Sequence, residues 1–152
     1  MSDKKRKLPT KPKSKVKSTI TTYAWHDEIY SADHVVVVCS REDFEGFCRK
    51  HYPDKLAAFA SQHVFGCAFA TDNGSGCVTV QYWFLPEVFK GDATNIVQLI
   101  VHEAFHGVQM VMASRHVPLC RKTTEPWAFY LDTVVGALVR MTSQASKGVS
   151  KC

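Results

Sequence analysis

The sequence predicts an α+β fold, with a small, mostly antiparallel sheet packed on two long C-terminal helices. Short β-branched runs and a turn-rich hairpin fill the first half of the chain, and two segments of helical periodicity fill the second. At 152 residues and 45% hydrophobic side chains, the chain is sized for one domain with one core.

Residues 1–18 hold seven Lys and Arg6 against the single acid Asp3, with Pro9 and Pro12 and almost nothing apolar to bury. That composition predicts a disordered basic tail. The expected domain spans residues 19–145, with a flexible C-terminus over 146–152. The tail accounts for more than the whole net charge of +5, so the domain itself is mildly acidic. A high pI is therefore no sign of a basic nucleic-acid-binding face, and nucleic acid is expected as a partner only through the tail and its Lys4-Lys5-Arg6-Lys7 run. No apolar stretch with a cleavage site follows the charged start, and no apolar run is read as long enough to span a membrane. A cytoplasmic protein without a signal peptide or membrane partner is the expectation.

Along the domain, Tyr23–Tyr30 mixes aromatic and polar residues, and His34–Cys39 is a β-branched run suited to a buried strand. Ser40 is placed to cap a helix over Arg41–His51, with Asp43 at the third helical position and Pro53 as the stop. Leu56, Phe59 and Ala60 predict a short helix over Asp54–Gln62. Val64–Ala70 and Cys77–Leu85 flank the turn-forming Thr71–Gly76 and predict a β-hairpin. Helices follow from about Thr94, itself the expected cap, to Ser114, and from about Thr124 to Ser143, with Pro126 tolerated in the first turn.

The six cysteines form no C-x-x-C pair, which argues against a zinc ribbon or a thioredoxin-like site. Reduced thiols are expected, although Cys67 and Cys77 flank the hairpin turn and are candidates to face each other across it.

The motif that carries chemistry is His102-Glu103-Ala104-Phe105-His106, an H-E-x-x-H pattern inside a predicted helix. Residues four apart stand one turn apart on one helical face, so both imidazoles can reach one zinc ion while Glu103 addresses a water beside it. Composition alone would produce the pattern in roughly one chain in eighty, so its surroundings matter. Asn95, Gln98, His102, His106 and Gln109 fall within an arc of roughly 80° on an otherwise apolar helix. A solvated face usually carries Lys, Arg and Glu, whereas this one carries neutral His, Gln and Asn. The plain alternative is that the stripe is only the wet side of an amphipathic helix.

A catalytic zinc takes three protein ligands and leaves a fourth position open. Gln109 and Met112 stand where an extended H-E-x-x-H-x-x-G-x-x-H motif needs Gly and His, so that branch is excluded. Glu125, at the start of the last helix, is the best third donor, and His116 in the connection is its rival. Asp132, two turns beyond Glu125, is placed to accept the free N–H of a ligating imidazole. Trp127, Phe129, Tyr130 and Leu131 are expected to serve packing.

With Glu125-Pro126-Trp127-Ala128-Phe129-Tyr130 after it, the motif resembles the gluzincin zinc metallopeptidases, whose second helix supplies a Glu ligand in an E-x-x-A-x-Y context. The small size is similar to the one-domain chains of bacteriophages and prophages classed with such peptidases. The resemblance covers about the last 60 residues. It implies a minimal zincin-like domain in the cytoplasm of a bacterial host, one Zn2+ ion on His102, His106 and Glu125, and a peptide or protein substrate. Glu103 would then take a proton from water and pass it to the leaving amine. Tyr82, His116 and Arg121 are the candidates for contacts to substrate or its developing oxyanion, and the strand Val78–Leu85 is expected to be the edge that lines the cleft, with Tyr82 and Trp83 shaping a pocket. Two other readings stay open: a non-catalytic zinc-stabilised protein-binding module, and a nucleic-acid-associated protein acting through its tail.

Overall fold

The computed structural model describes residues 20–55, 65–72, 74 and 76–149. The predicted basic tail, most of the predicted helix over Asp54–Gln62, and the end of the chain from 150 lie outside them. Strands β1 (Thr21–Asp27), β2 (Ala32–Val38), β3 (Gly66–Asp72) and β4 (Val78–Phe84) form a sheet in the order β1-β2-β4-β3. The β1–β2 and β3–β4 pairs are antiparallel, and β2 and β4 run parallel at the centre. Helices α1 (Arg41–His51), α2 (Ala93–Ser114) and α3 (Thr124–Val149) complete the α+β fold.

Strand alternation sorts the side chains into two cores. Val36 and Val38 of β2 join Val80, Tyr82 and Phe84 of β4 beneath α2 and α3. Val37, Trp83, Cys67 and Phe69 point the other way and pack on Phe44 and Cys48 of α1. The sheet is thus covered on both faces rather than only by the C-terminal helices, which explains why β2 and β4 read as almost continuous apolar runs. β1 carries a weaker signal in the sequence, although its exposure alternates residue by residue and Tyr23 and Trp25 turn towards α2 and α3.

Local chemistry sets the ends of the elements. Ser40 accepts the Asp43 N–H and donates its hydroxyl to the Asp43 carboxylate at 2.6 Å, so the predicted cap of α1 is in place. The cap of α2 is Asp92 and not Thr94: its carboxylate accepts the Thr94 N–H at 2.7 Å. α3 continues to Val149, past the predicted end at Ser143 and into the segment expected to be flexible. Cys67 and Cys77 do not face each other, because Cys67 lies opposite Trp83 across the hairpin; the described cysteines are free thiols. The 22-residue α2 is, by length and composition, apolar enough to cross a membrane, contrary to the expectation that no run reaches that length. Part of that apolar content is core, from Ile100 to Met112.

A chain of polar side chains runs through the helix-side core. His34 is fully buried, with Nδ1 3.0 Å from the Tyr82 hydroxyl and Nε2 2.9 Å from the Tyr130 hydroxyl. Tyr130 also hydrogen-bonds the Asp27 carboxylate, and that carboxylate accepts the N–H groups of Ile29 and Tyr30. A carboxylate only accepts, so Tyr130 donates to Asp27 and takes the His34 Nε2–H, and Tyr82 donates to Nδ1. Trp25 stacks on the imidazole at 4.4 Å.

Burial holds His34 down to about 4, against the pull of the Asp27 and Asp33 carboxylates. An unfolded imidazole takes its proton near pH 6.5, so the unfolded chain binds the extra proton first and stability falls as pH drops from about 6.5 to about 4, by about 3 kcal/mol. Thermal midpoints measured across that interval should fall more steeply for the wild type than for His34→Gln. NMR titration should find the wild-type imidazole neutral at pH 5.5; a charged His34 there would remove this account.

Candidate functional site

The site is built on α2, whose orientation follows from one close contact. A Cβ placed on Gly107 would lie 2.0 Å from the Tyr82 hydroxyl oxygen, so only glycine lets the helix rest on that ring. Ala104, Val108 and Val111 then face the sheet, fully buried. At 100° per residue, His102 and His106 come out roughly 160° and 200° from Ala104, on the outer side of the helix. His102 is exposed and His106 partly so. The far end of α2 is held by Arg115, which donates to the carbonyls of Tyr30 and Ser31 at 2.8 Å each.

The two histidines converge. Their Nε2 atoms stand 3.1 Å apart and their rings are perpendicular, at 88°. Two imidazole nitrogens on one tetrahedral zinc, each about 2.05 Å from it, stand roughly 3.3 Å apart, so the pair is close to the spacing of two ligands. Glu103 takes a different direction. It is 3% exposed and accepts the Ala68 N–H of β3. Burial pushes its carboxyl up to about 7, against the opposing effect of that N–H. A carboxyl in this range can both take and return a proton at neutral pH.

The third donor is not gathered in. The Phe105 and Trp127 rings lie 6.4 Å apart, which sets the first turn of α3 alongside the histidine turn of α2. The packed side of α3 is defined by Trp127, Tyr130, Val134 and Leu138. Glu125 lies half a turn round from Val134, roughly 180° at 100° per residue, and is exposed. Among the described residues, the three-donor group with ligand atoms within 4.8 Å of one another is His26, Asp33 and Cys77, and not His102, His106 and Glu125. Asp132 faces out beside Glu125 and hydrogen-bonds to neither imidazole, against the role expected for it.

Three other expectations are corrected. Tyr82 is fully buried and bonded to His34, so it belongs to the core and not to a substrate pocket; Trp83 is buried against α1. The strand Val78–Leu85 is not an edge, because β4 lies between β2 and β3, and β3 is the edge beside α2. His116 serves the backbone. At φ 55° it ends α2, with its N–H on Ala113 and the Val117 N–H on Met112, the αL position usually given to glycine. It lines an open groove with Gln109, Leu119 and Trp127 that holds neither motif histidine, and Arg121 is exposed in the following loop. The polar stripe Asn95, Gln98, His102 and Gln109 does face outward, flanked by the exposed Val97, Val101 and Phe105.

His26, Asp33 and Cys77 escape a reading of the sequence because strand register, and no spacing along the chain, unites them. His34 escapes it too, although its place between valines in a buried strand is an available sign.

Gly107→Ala tests the contact under the motif. Ala gains about 1 kcal/mol in helix propensity, but the Tyr82 ring is held by His34 and cannot yield without loss. A net destabilisation of about 1–3 kcal/mol is expected from denaturant midpoints, and a variant as stable as the wild type would show that α2 does not rest there. Comparison with known proteins finds no matching family model, no matching curated protein and no matching solved structure.

Proposed function

We propose that this protein is a zinc-dependent metallopeptidase in which His102 and His106 hold the ion, Glu125 supplies the third ligand and Glu103 is the general base. The convergence of the two Nε2 atoms to 3.1 Å is the observation that carries the reading. Bound there, zinc would polarise a scissile carbonyl and acidify water. Among the described residues, Glu125 makes no side-chain hydrogen bond or ion pair that holds it away, and its turn runs beside the histidine turn.

Glu103 distinguishes this from a closed zinc site that only braces a binding module. Such a site has no use for a base next to the ion, whereas Glu103 is a buried carboxyl pushed up to about 7 beside the edge strand. Its role is to take a proton from water and pass it to the leaving amine. β3 replaces β4 as the strand for an extended peptide to pair with, since it is the edge of the sheet; its Ala68 N–H is already held by Glu103.

Zinc per chain, measured on purified protein, should fall on His102→Ala, on His106→Ala and on Glu125→Ala. Glu103→Gln should keep its zinc and lose peptide hydrolysis by at least about 100-fold. A Glu103→Gln variant as active as the wild type would remove the catalytic assignment, and unchanged zinc in Glu125→Ala would remove that ligand.

A further inference from the structure

We infer that His26, Asp33 and Cys77 form a second metal site, separate from the motif histidines, for a borderline divalent cation such as zinc. The three residues come from adjoining parts of the sheet. His26 of β1 lies directly opposite Asp33 of β2, Asp33 lies opposite Thr79 of β4, and Cys77 stands two residues before Thr79, so all three project from the same face. Further along, this face packs against α1 through Val37 and Trp83. At the level of His26 and Asp33 it is open, with those side chains about half exposed.

The three ligand atoms lie within 4.8 Å of one another. His26 Nδ1 is 2.7 Å from one Asp33 oxygen, and the Cys77 thiol donates to the other at 3.4 Å. A thiolate and a carboxylate on one tetrahedral zinc stand about 3.5 Å apart. One imidazole, one carboxylate and one sulfur suit zinc or cobalt, and the sulfur argues against magnesium or calcium. Three protein donors leave a fourth position for water. On binding, the Cys77 S–H proton leaves to solvent and the His26 proton moves from Nδ1 to Nε2, freeing the sulfur and Nδ1 as donors. Because its ligands sit on β1, on β2 and at the entry to β4, the ion ties that end of the sheet together.

Cobalt(II) separates this site from the motif, which has no sulfur ligand. Titrated into full-length protein carrying His102→Ala and His106→Ala, it should produce a thiolate-to-cobalt charge-transfer band that saturates at one equivalent. Cys77→Ser in that background should abolish the band and weaken cobalt binding by more than about 100-fold, beyond the loss caused by removing a partner behind a ligand, while Cys120→Ser should leave both unchanged. As a second readout, zinc should raise the thermal midpoint of the His102→Ala/His106→Ala protein and not that of the variant with Cys77→Ser added. Absence of the band before Cys77 is changed, its survival in Cys77→Ser, or an equal zinc-induced rise in both proteins would overturn the assignment.

Discussion

The contact between Gly107 and the Tyr82 ring governs how α2 sits on the sheet, and the rest of the candidate site follows from it. With no Cβ at position 107, the helix approaches until the Tyr82 hydroxyl occupies the space a methyl group would need. That approach sets the roll of the helix about its own axis. Ala104, Val108 and Val111 go to the core, Glu103 goes to the flank beside β3, and both histidines go to the outer face. A roll large enough to bury the histidines would take these apolar side chains out of the core, at about 25 cal/mol for each Å2 exposed.

The same ring starts a line of hydrogen bonds that joins elements far apart in the chain. Tyr82 of β4, His34 of β2, Tyr130 of α3 and Asp27 at the end of β1 satisfy one another in sequence. Buried polar groups without partners are expensive, and no buried side-chain nitrogen or oxygen among the described residues lacks one. Because each member has one compatible donor and acceptor arrangement, the line favours a single packing of α3 on the sheet. The imidazole stays neutral in that arrangement, so this specificity is weakest in acid.

The two groups of candidate metal donors are assembled by different means. The motif histidines rely on helical repeat: four residues are one turn, and their nitrogens meet whatever the helix packs on. His26, Asp33 and Cys77 rely on pairing register, in which a slip by one residue would send every member of a strand to the opposite face. Glu125 belongs to neither case. Its position relative to the histidines depends on the roll of α3, which Trp127, Tyr130 and Val134 determine by packing.

Local chemistry was legible in the amino-acid order. The Ser40 cap, the bounds of α1, the hairpin, the two long helices and the His102–His106 pair all depend on neighbours a few residues apart, and the α+β class follows from their order. Relations between distant segments were not legible. That β4 lies inside the sheet, that α1 covers its second face, that Tyr82 is a core residue and that Glu125 and Asp132 face outward all depend on which surfaces meet. The amino-acid order determined the elements and the paired imidazoles, because backbone geometry repeats over one turn or two residues. Tertiary structure alone decided which strand is the edge and which side chains gather, because burial and register act between parts of the chain that carry no periodic relation to each other.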